Sequence, residues 1–247
     1  MRKAQPFPVI PRQVYCGPMT MAYALGQRTR SSCRQYSMIS GIPPDGNRIM
    51  NGKNIESGRM AVAVLVGGRS KRMGLPKESV VIPDDGRTFL RRICDEVDII
   101  SKGLFVARYL SVRDGQCIER DGYINVPDRY AGIGPIGGIY SSLEKAAEDG
   151  AGYVLILACD LIGYDHNEIS GICDSYKGED ILFARTGDGR LQPLASVYSA
   201  DILPAVRDLI ERGKYRITDL SDTCANVGYY DTFRNECYIN QNTPFNK

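Results

Sequence analysis

The sequence predicts an α/β fold with a mostly parallel central sheet. From Met60 onward, short apolar runs alternate with stretches of helical periodicity, which is typical of parallel strands joined by crossover helices. Of the 247 residues, 43% are hydrophobic and 24% are charged, as in a globular protein with a sizeable core. No apolar run approaches the roughly 20 residues that cross a bilayer. We therefore expect one folded domain over residues 60–247 and no membrane partner.

The first half of this domain contains three predicted strands and one helix. Residues 61–66 (AVAVLV) form the first strand candidate, and a Gly-rich stretch follows them. Thr88 can cap a helix that runs to about Ile99, because its hydroxyl accepts an otherwise unpaired backbone N–H. Residues 103–108 and 123–126 are predicted to form the next two strands.

The second half begins with a helix from Pro135 to about Glu148, since proline tolerates the first helical turn. Residues 153–159 (YVLILAC) predict a fourth, buried strand. The remaining predicted elements are a helix at 166–176, strands at 181–185 and 193–198, and a helix at 201–212 that Gly213 closes. Because parallel sheets bind ligands beyond the carboxyl ends of their strands, the loops after the first, third and fourth strands should converge.

Residues 1–59 differ in composition from the rest of the chain. They hold nine Lys and Arg against two Asp and Glu, whereas the remainder holds 22 against 27. They are rich in Pro, Ser and Gly and lack sustained periodicity. We expect a basic, disordered N-terminal extension, either a natural tail or translation from a start codon upstream of Met60. An Arg-rich, acid-poor segment is also typical of a transit peptide, but no amphipathic helix supports that alternative.

The cysteine spacing narrows the possible site types. The eight cysteines never form a Cys-x-x-Cys pair, which argues against zinc ribbons and thioredoxin-like sites. The N-terminus also lacks the apolar core of a secretory signal. Scattered reduced thiols and a cytoplasmic location are therefore expected.

The loop at residues 65–77 (LVGGRSKRMGLPK) is a candidate for anion binding. Glycines let backbone N–H groups approach an anion closely, and Arg72 and Lys77 supply positive charge. The loop fits neither GxxxxGK[ST] nor GxGxxG, so P-loop and dinucleotide-binding interpretations have no support. It predicts a polyphosphate site of another kind.

The order GG-x-S-x-RMG-x-x-K in this loop closely resembles the signature of the molybdenum cofactor guanylyltransferases and related nucleotidyltransferases. Four later segments follow in the family's order and extend the resemblance over residues 60–247: VPDRYAGIGPIGGIYSSL at 126–143, LILACDL at 155–161, LQPLASVY at 191–198 and NVGYYDTF at 226–233. The resemblance implies a Rossmann-like, three-layer nucleotidyltransferase fold, and it does not extend to residues 1–59.

The resemblance also implies a role for individual residues. The nucleotide-binding set is Leu65, Val66 and Gly67 for the base and sugar, Gly68, Arg72 and Lys77 for the triphosphate, and Asp128 and Asp160. Within this set the catalytic residues would be Arg72, Lys77 and Asp160. Asp160 would also bind Mg²⁺, a hard cation that suits carboxylate and phosphate oxygens. The acceptor-side set is Gln192, Pro193 and Asn226.

This chain departs from the family pattern in three places. Arg108 stands after the second predicted strand, where relatives often carry Asn. Pro76 stands where relatives often carry Asp before the loop lysine. The family's Asn-x-Asn pair near the end of the domain is matched to Asn226-Val227-Gly228, which lacks the second asparagine. We therefore expect acceptor binding to be altered.

The reaction implied by the resemblance is transfer of GMP from GTP to the phosphate of molybdopterin, with release of pyrophosphate. Gly67 favours guanine, because a missing Cβ leaves room for a larger base. Two other enzyme activities are possible: a cytidylyltransferase for the same cofactor, or a transferase for a sugar phosphate or another phosphorylated metabolite. The alternative that is not an enzyme is a non-catalytic nucleotide-binding regulatory domain. We expect no nucleic-acid partner, and we expect transient contact with enzymes that accept the finished cofactor.

Overall fold

The computed structural model describes residues 47–50, 53–56, 60–66 and 76–241, with side chains from residue 60 onward. Two short strands, β1 (Asn47–Met50) and β2 (Lys53–Glu56), pair antiparallel as a separate two-stranded sheet. They lie within the predicted extension, whose lack of periodicity did not indicate them. The rest of residues 1–59 lies outside the described residues.

The larger sheet and its helices are built from residue 60 onward. Its strands are β3 (Met60–Leu65), β4 (Phe105–Val112), β5 (Ile124–Pro127), β6 (Tyr153–Ala158), β7 (Ile181–Thr186), β8 (Leu191–Ser199) and β9 (Val227–Thr232). The helices are α1 (Phe89–Ile100), α2 (Pro135–Glu148), α3 (His166–Ser175) and α4 (Leu203–Glu211). Short 3₁₀ helices cover Lys77–Ser79, Ala200–Ile202, Ile217–Asp222 and Asn235–Tyr238.

The seven strands form one mostly parallel sheet in the order β5-β4-β3-β6-β8-β7-β9. Only β8 runs antiparallel to its neighbours in this sheet, and the other pairs are parallel. This confirms the α/β fold class predicted from the alternating pattern. No helix of the described residues is long and apolar enough to cross a membrane.

Side chains of the central strands are buried on both faces of the sheet. Val62 and Val64 of β3 pack with α1 and α3 on one face, and Ala61 and Ala63 pack with α2 and α4 on the other. These four residues have no exposed surface. Successive side chains of a strand point to opposite faces of the sheet. A strand that helices cover on both faces therefore needs apolar residues on both. The result is the three-layer arrangement.

Three predicted elements differ from the observed ones. The second strand ends at Val112 and not at 108, because Tyr109 and Leu110 are fully buried and continue the pairing. The last predicted helix starts at Leu203 after a 3₁₀ turn. The edge strand β9 was predicted only as a motif segment, since its tyrosines and aspartate leave half of it exposed.

We predict that a chain starting at Met60 folds with an unchanged melting temperature. The seven-stranded sheet begins at that residue, and β1 and β2 pair only with each other. Thermal denaturation of the full-length and Met60-start proteins tests this. A markedly lower melting temperature in the shorter chain would show that residues 1–59 contribute to the stability of the domain.

Candidate active site

Several of the predicted site residues meet where the parallel strands end. Backbone hydrogen bonds continue beyond the strands and hold the ends of β3, β4, β5 and β6, with the residues that directly follow them, side by side. These bonds run from Val66 N to Ser111 O at 3.0 Å, from Cys159 N to Leu65 O at 3.3 Å, and from Asp128 N to Val112 O at 2.8 Å. Val66, Asp128 and Cys159 directly follow β3, β5 and β6, so the loops that were predicted to converge start at one edge, and residues 67–75 lie outside the described residues.

A lysine and an aspartate form an ion pair at the centre of this edge. Asp160 lies two residues beyond β6 and is 6% exposed. The Nζ atom of Lys77 lies 2.5 Å from Asp160 Oδ2, although the two residues are 83 positions apart in the chain. Both belong to the predicted catalytic set. Its third member, Arg72, lies outside the described residues, as do Gly67 and Gly68.

Asp128 lies on the other side of β3, at the end of β5. Its Oδ1 atom accepts a hydrogen bond from the Ser111 hydroxyl at 2.8 Å. Burial raises the pKa of Asp128 above its ordinary value, and the hydrogen bond from Ser111 partly opposes this shift. Leu65, at the end of β3, is buried beside this pair. The predicted nucleotide-binding residues Leu65, Val66 and Asp128 are thus brought together.

Gly138 lets helix α2 approach this corner closely. A Cβ on Gly138 would lie 2.6 Å from Ser111 Oγ, 3.2 Å from Leu65 Cδ2 and 3.3 Å from Asp128 Oδ1. The helix begins after Gly134, whose φ of +85° is a conformation that favours glycine. Gly138 therefore serves helix–sheet packing around Asp128, and Gly134 allows the backbone turn into the helix.

The acceptor-side residues Gln192 and Pro193 lie at a bulge in β8. The register with β7 shifts between Leu182 and Ala184, so several residues of β8 have no direct partner on that side. Proline cannot donate to a ladder and is tolerated in the bulge. Ser196 bridges the gap, because its hydroxyl donates to Gln192 O at 2.7 Å and accepts from Ala184 N at 3.1 Å.

A pocket of about 560 Å³ opens beside Gln192 at the same edge of the sheet. Its lining is mostly polar, with hydroxyl, amide and charged side chains in both signs. The lining residues are Thr186, Asp188, Arg190, Gln192, Asn235, Glu236, Tyr238, Ile239 and Asn240. Such a pocket can hold a polar organic group through several directed hydrogen bonds.

The structure does not bring Asn226 to this site. Asn226 immediately precedes β9, and its backbone oxygen accepts a hydrogen bond from Asp180 N at 2.8 Å, just before β7. Both positions lie at the amino ends of strands, one strand length of roughly 20 Å from the site. The assignment of Asn226 to the acceptor is therefore wrong, because strand direction places it at the opposite edge.

A different asparagine lies beside Gln192. Asn240 lines the pocket and pairs with Leu161, and Gln241 N donates to Asp160 O at 3.1 Å. After β9 the chain thus returns to the end of β6. The sequence carried a signal for this, since Asn240-Gln241-Asn242 is a complete Asn-x-Asn and the segment at 226–228 is not. Asn242 lies outside the described residues.

An ion-pair network fixes the wall of the pocket that the Asn235–Tyr238 turn forms. Arg234 donates to both carboxylate oxygens of Asp165, at 3.0 Å and 2.8 Å. Its guanidinium lowers the pKa of Asp165 to about 2. The buried Glu168 accepts a hydrogen bond from the Tyr238 hydroxyl at 2.8 Å. These contacts join the Asn235–Tyr238 turn to helix α3, so the wall is fixed in place.

Asp160 suits a magnesium ion only in combination with a substrate. Among residues 60–66 and 76–241, no group of three or more His, Cys, Asp or Glu side chains could hold a metal ion. Mg²⁺ in nucleotide sites is commonly bound by one or two carboxylates together with phosphate oxygens. A buried carboxylate at the end of a central strand, next to a lysine, fits that arrangement.

The MobA-like NTP transferase domain matches residues 62–225. The chain belongs to this family. It is a nucleotidyltransferase, and the matched range contains β3 to β8 with every described residue of the predicted site except Asn226.

Related proteins agree with the family assignment. The chain is 28% identical over 177 residues to a probable molybdenum cofactor guanylyltransferase of Mycobacterium marinum, covering 70% of this chain and 85% of the relative. It is 28% identical over 186 residues to a molybdenum cofactor guanylyltransferase of Vibrio vulnificus, covering 73% and 89%. The crystal structure of molybdopterin-guanine dinucleotide biosynthesis protein A from Archaeoglobus fulgidus has the same fold, with a TM-score of 0.57, 23% identity and coverage of 75% and 93%.

We predict that Gly138→Ala destabilises this MobA-like domain by about 1–3 kcal/mol and weakens nucleotide binding, because the new methyl group displaces Ser111 from Asp128. In a double-mutant cycle, Ser111→Ala should remove part of that penalty. Urea denaturation and nucleotide titration measure both effects.

Ser142→Ala on the same helix is the matched control for Gly138→Ala. The Ser142 hydroxyl is buried without a partner in the described part of the chain, so its removal should not lower stability. If Gly138→Ala unfolds at the same urea concentration as the wild type, the close contact with Ser111 does not constrain the helix.

Proposed function

We propose that this nucleotidyltransferase transfers GMP from GTP to the terminal phosphate of molybdopterin and releases pyrophosphate. The observation that carries the proposal is the ion pair between the partly buried Lys77 and the buried Asp160 at the carboxyl edge, between the Leu65–Asp128 corner and the polar pocket. The names of the relatives supply the substrates. Molybdenum cofactor guanylyltransferases are similar to this chain over 85% and 89% of their own length.

The order of groups along the sheet edge matches the order of groups in the reaction. The β5–β3 side, with Asp128 and Leu65, would take the guanosine. The centre, at Asp160 and Lys77, would take the phosphates, and the pocket beside Gln192 would take the pterin. A phosphate oxygen of the acceptor then attacks the α-phosphorus of GTP, and the bond to the β-phosphate oxygen breaks. Positioning and charge neutralisation supply most of the rate in such a displacement.

The residues of this chain have separate tasks in that step. Lys77 would neutralise charge that develops on the phosphates, together with Arg72 of the Gly-rich loop. Asp160 would hold Mg²⁺, which polarises phosphoryl oxygens when it is bound. Gln192 and Asn240, which line the pocket, would hydrogen-bond the pterin. The predicted substrates are therefore GTP and a molybdopterin-type phosphorylated acceptor, and the predicted cofactor is Mg²⁺.

The direct test is pyrophosphate release with GTP, CTP, ATP and UTP, with and without metal-loaded molybdopterin. GTP with molybdopterin should give the highest turnover. A preference for CTP would make the chain a cytidylyltransferase, and turnover only with a sugar phosphate would replace the acceptor. Nucleotide binding without any turnover would indicate a regulatory nucleotide-binding domain.

We predict that Asp160→Asn lowers turnover by on the order of a hundredfold at limiting Mg²⁺, because it removes the charge that binds the cation. The fold should be retained, as the amide keeps the shape of the side chain. A Mg²⁺ titration of turnover measures the effect, with circular dichroism as the folding control.

Asp180→Asn is the matched control for Asp160→Asn. Asp180 accepts backbone hydrogen bonds from Ala225 and Asn226 at the opposite edge of the sheet, so it should not change the Mg²⁺ dependence. A folded Asp160→Asn variant with wild-type kcat at every Mg²⁺ concentration would remove the metal site from the proposal.

We predict that Gly67→Ala lowers the ratio of GTP to CTP in kcat/KM. On the sequence argument, a methyl group at this position crowds a purine more than a pyrimidine. The loss of one such steric fit between base and pocket changes discrimination by about 1–3 kcal/mol, or about 10- to 200-fold. Steady-state kinetics with both nucleotides measures the ratio, and an unchanged ratio would place guanine selection elsewhere.

A further inference from the structure

We propose that Glu78 is a positioning residue that fixes Lys77 beside Asp160. It does so by tying the Lys77–Ser79 turn to the turn that follows β4, through Gln116 and Arg113. The inference rests on the proposed function in one respect, because it takes Lys77 as a group that acts on the triphosphate. It adds a residue to the site that neither the loop signature nor the acceptor motifs include.

The contacts of Glu78 carry the inference. Glu78 is 9% exposed, and a buried carboxylate is costly unless donors satisfy it. Its Oε1 atom accepts hydrogen bonds from Gln116 Nε2 at 2.7 Å and from Arg113 Nη2 at 3.3 Å. These donors lie 38 and 35 residues further along the chain. The side chain therefore connects two separate loops at the catalytic edge.

The turn that receives Glu78 is closed by its own hydrogen bonds. Gln116 N donates to Arg113 O at 3.0 Å, and Gln116 Oε1 accepts from Arg113 N at 3.2 Å. Because the amide oxygen of Gln116 is occupied in this way, its NH₂ group is directed toward Glu78. Gly115, with φ of +72°, provides the backbone conformation that the turn needs. Glu78 is thus held by a preorganised anchor.

Lys77 needs such an anchor because of where it stands. The Lys77–Ser79 helix is only three residues long, and it follows a glycine-rich loop. A lysine side chain loses rotamer entropy when it is fixed. Displacement of a catalytic group by about 1 Å can cost on the order of a hundredfold in rate. An immobile backbone at residue 78 limits both losses for the neighbouring lysine.

Glu78 Oε2 is buried and has no hydrogen-bond partner among the residues that the structure describes. A buried carboxylate oxygen without a hydrogen-bond donor lowers the stability of the fold. Such an oxygen is expected at a site where a bound ligand or its solvent supplies the missing partner.

The test is a set of mutant cycles read by GTP affinity and by turnover. Glu78→Ala and Gln116→Leu should each weaken GTP binding and lower kcat/KM by about 10-fold or more. The double variant should lose no more than Glu78→Ala alone, since both changes remove the same link. In a Lys77→Met background, neither change should have a further effect. Glu78→Gln keeps an acceptor oxygen and should recover most of the loss.

Glu119→Ala is the matched control, because this exposed glutamate lies in the same β4–β5 connection and should leave binding and turnover unchanged. Circular dichroism checks folding. If Glu78→Ala does not fold, Gln116→Leu tests the same hydrogen bond from its donor side, and Glu78→Gln tests it with a smaller change at residue 78.

The proposal is overturned if Glu78→Ala has the same effect with and without Lys77, or if Gln116→Leu leaves GTP affinity unchanged. A wild-type protein that binds GTP without transferring GMP would refute the proposed reaction, and the affinity cycles would still decide the role of Glu78. A wild-type protein that does not bind GTP would refute both.

Discussion

Parallel pairing of β5, β4, β3 and β6 is the constraint on which the site depends. It brings four carboxyl ends to one edge, with neighbouring strands about 4.8 Å apart, so Asp128, Leu65 and Asp160 line up from separate parts of the chain. The antiparallel strand β8 then places its amino end at the same edge, which adds Gln192. A single sheet edge thereby presents Asp128, Asp160 and Gln192 in sequence, which is the order that the proposed reaction uses.

The sequence was sufficient for the parts of the fold that follow strong local patterns. The unbroken apolar runs of β3 and β6 and the Pro135 start of α2 were predicted close to their observed bounds. That Lys77 lies near Asp160 at the end of β6 followed from strand order and the family signature, whereas their ion pair was not predicted. The end of β4 was missed because Arg108 looks like a solvent-facing terminus. Its guanidinium instead reaches Asp98 and the Gly122 carbonyl, which lets the strand continue through it.

The acceptor side could not be predicted in the same way, because it depends on register and on long-range return of the chain. The complete Asn-x-Asn at 240–242 is a local difference from the segment at 226–228, but it does not show at which edge of the sheet either asparagine lies. The direction of β9 sends Asn226 to one edge, and the segment after it crosses back to pair with Leu161 beside Asp160. The bulge that presents Gln192 likewise depends on Ser196 replacing ladder contacts between β8 and β7.

The distribution of polar groups explains why this edge contributes less to the stability of the fold than the core does. Val62, Val64, Leu155 and Ile156 are fully buried between two helical layers and supply apolar stabilisation. At the edge, Asp128 is buried enough to have a raised pKa, and Glu78 has an unsatisfied oxygen among the described residues. Both features oppose folding, and both leave charge for a ligand. Apolar replacements of similar shape at these two carboxylates should therefore raise stability while lowering activity, which is the exchange expected of a preformed ligand site.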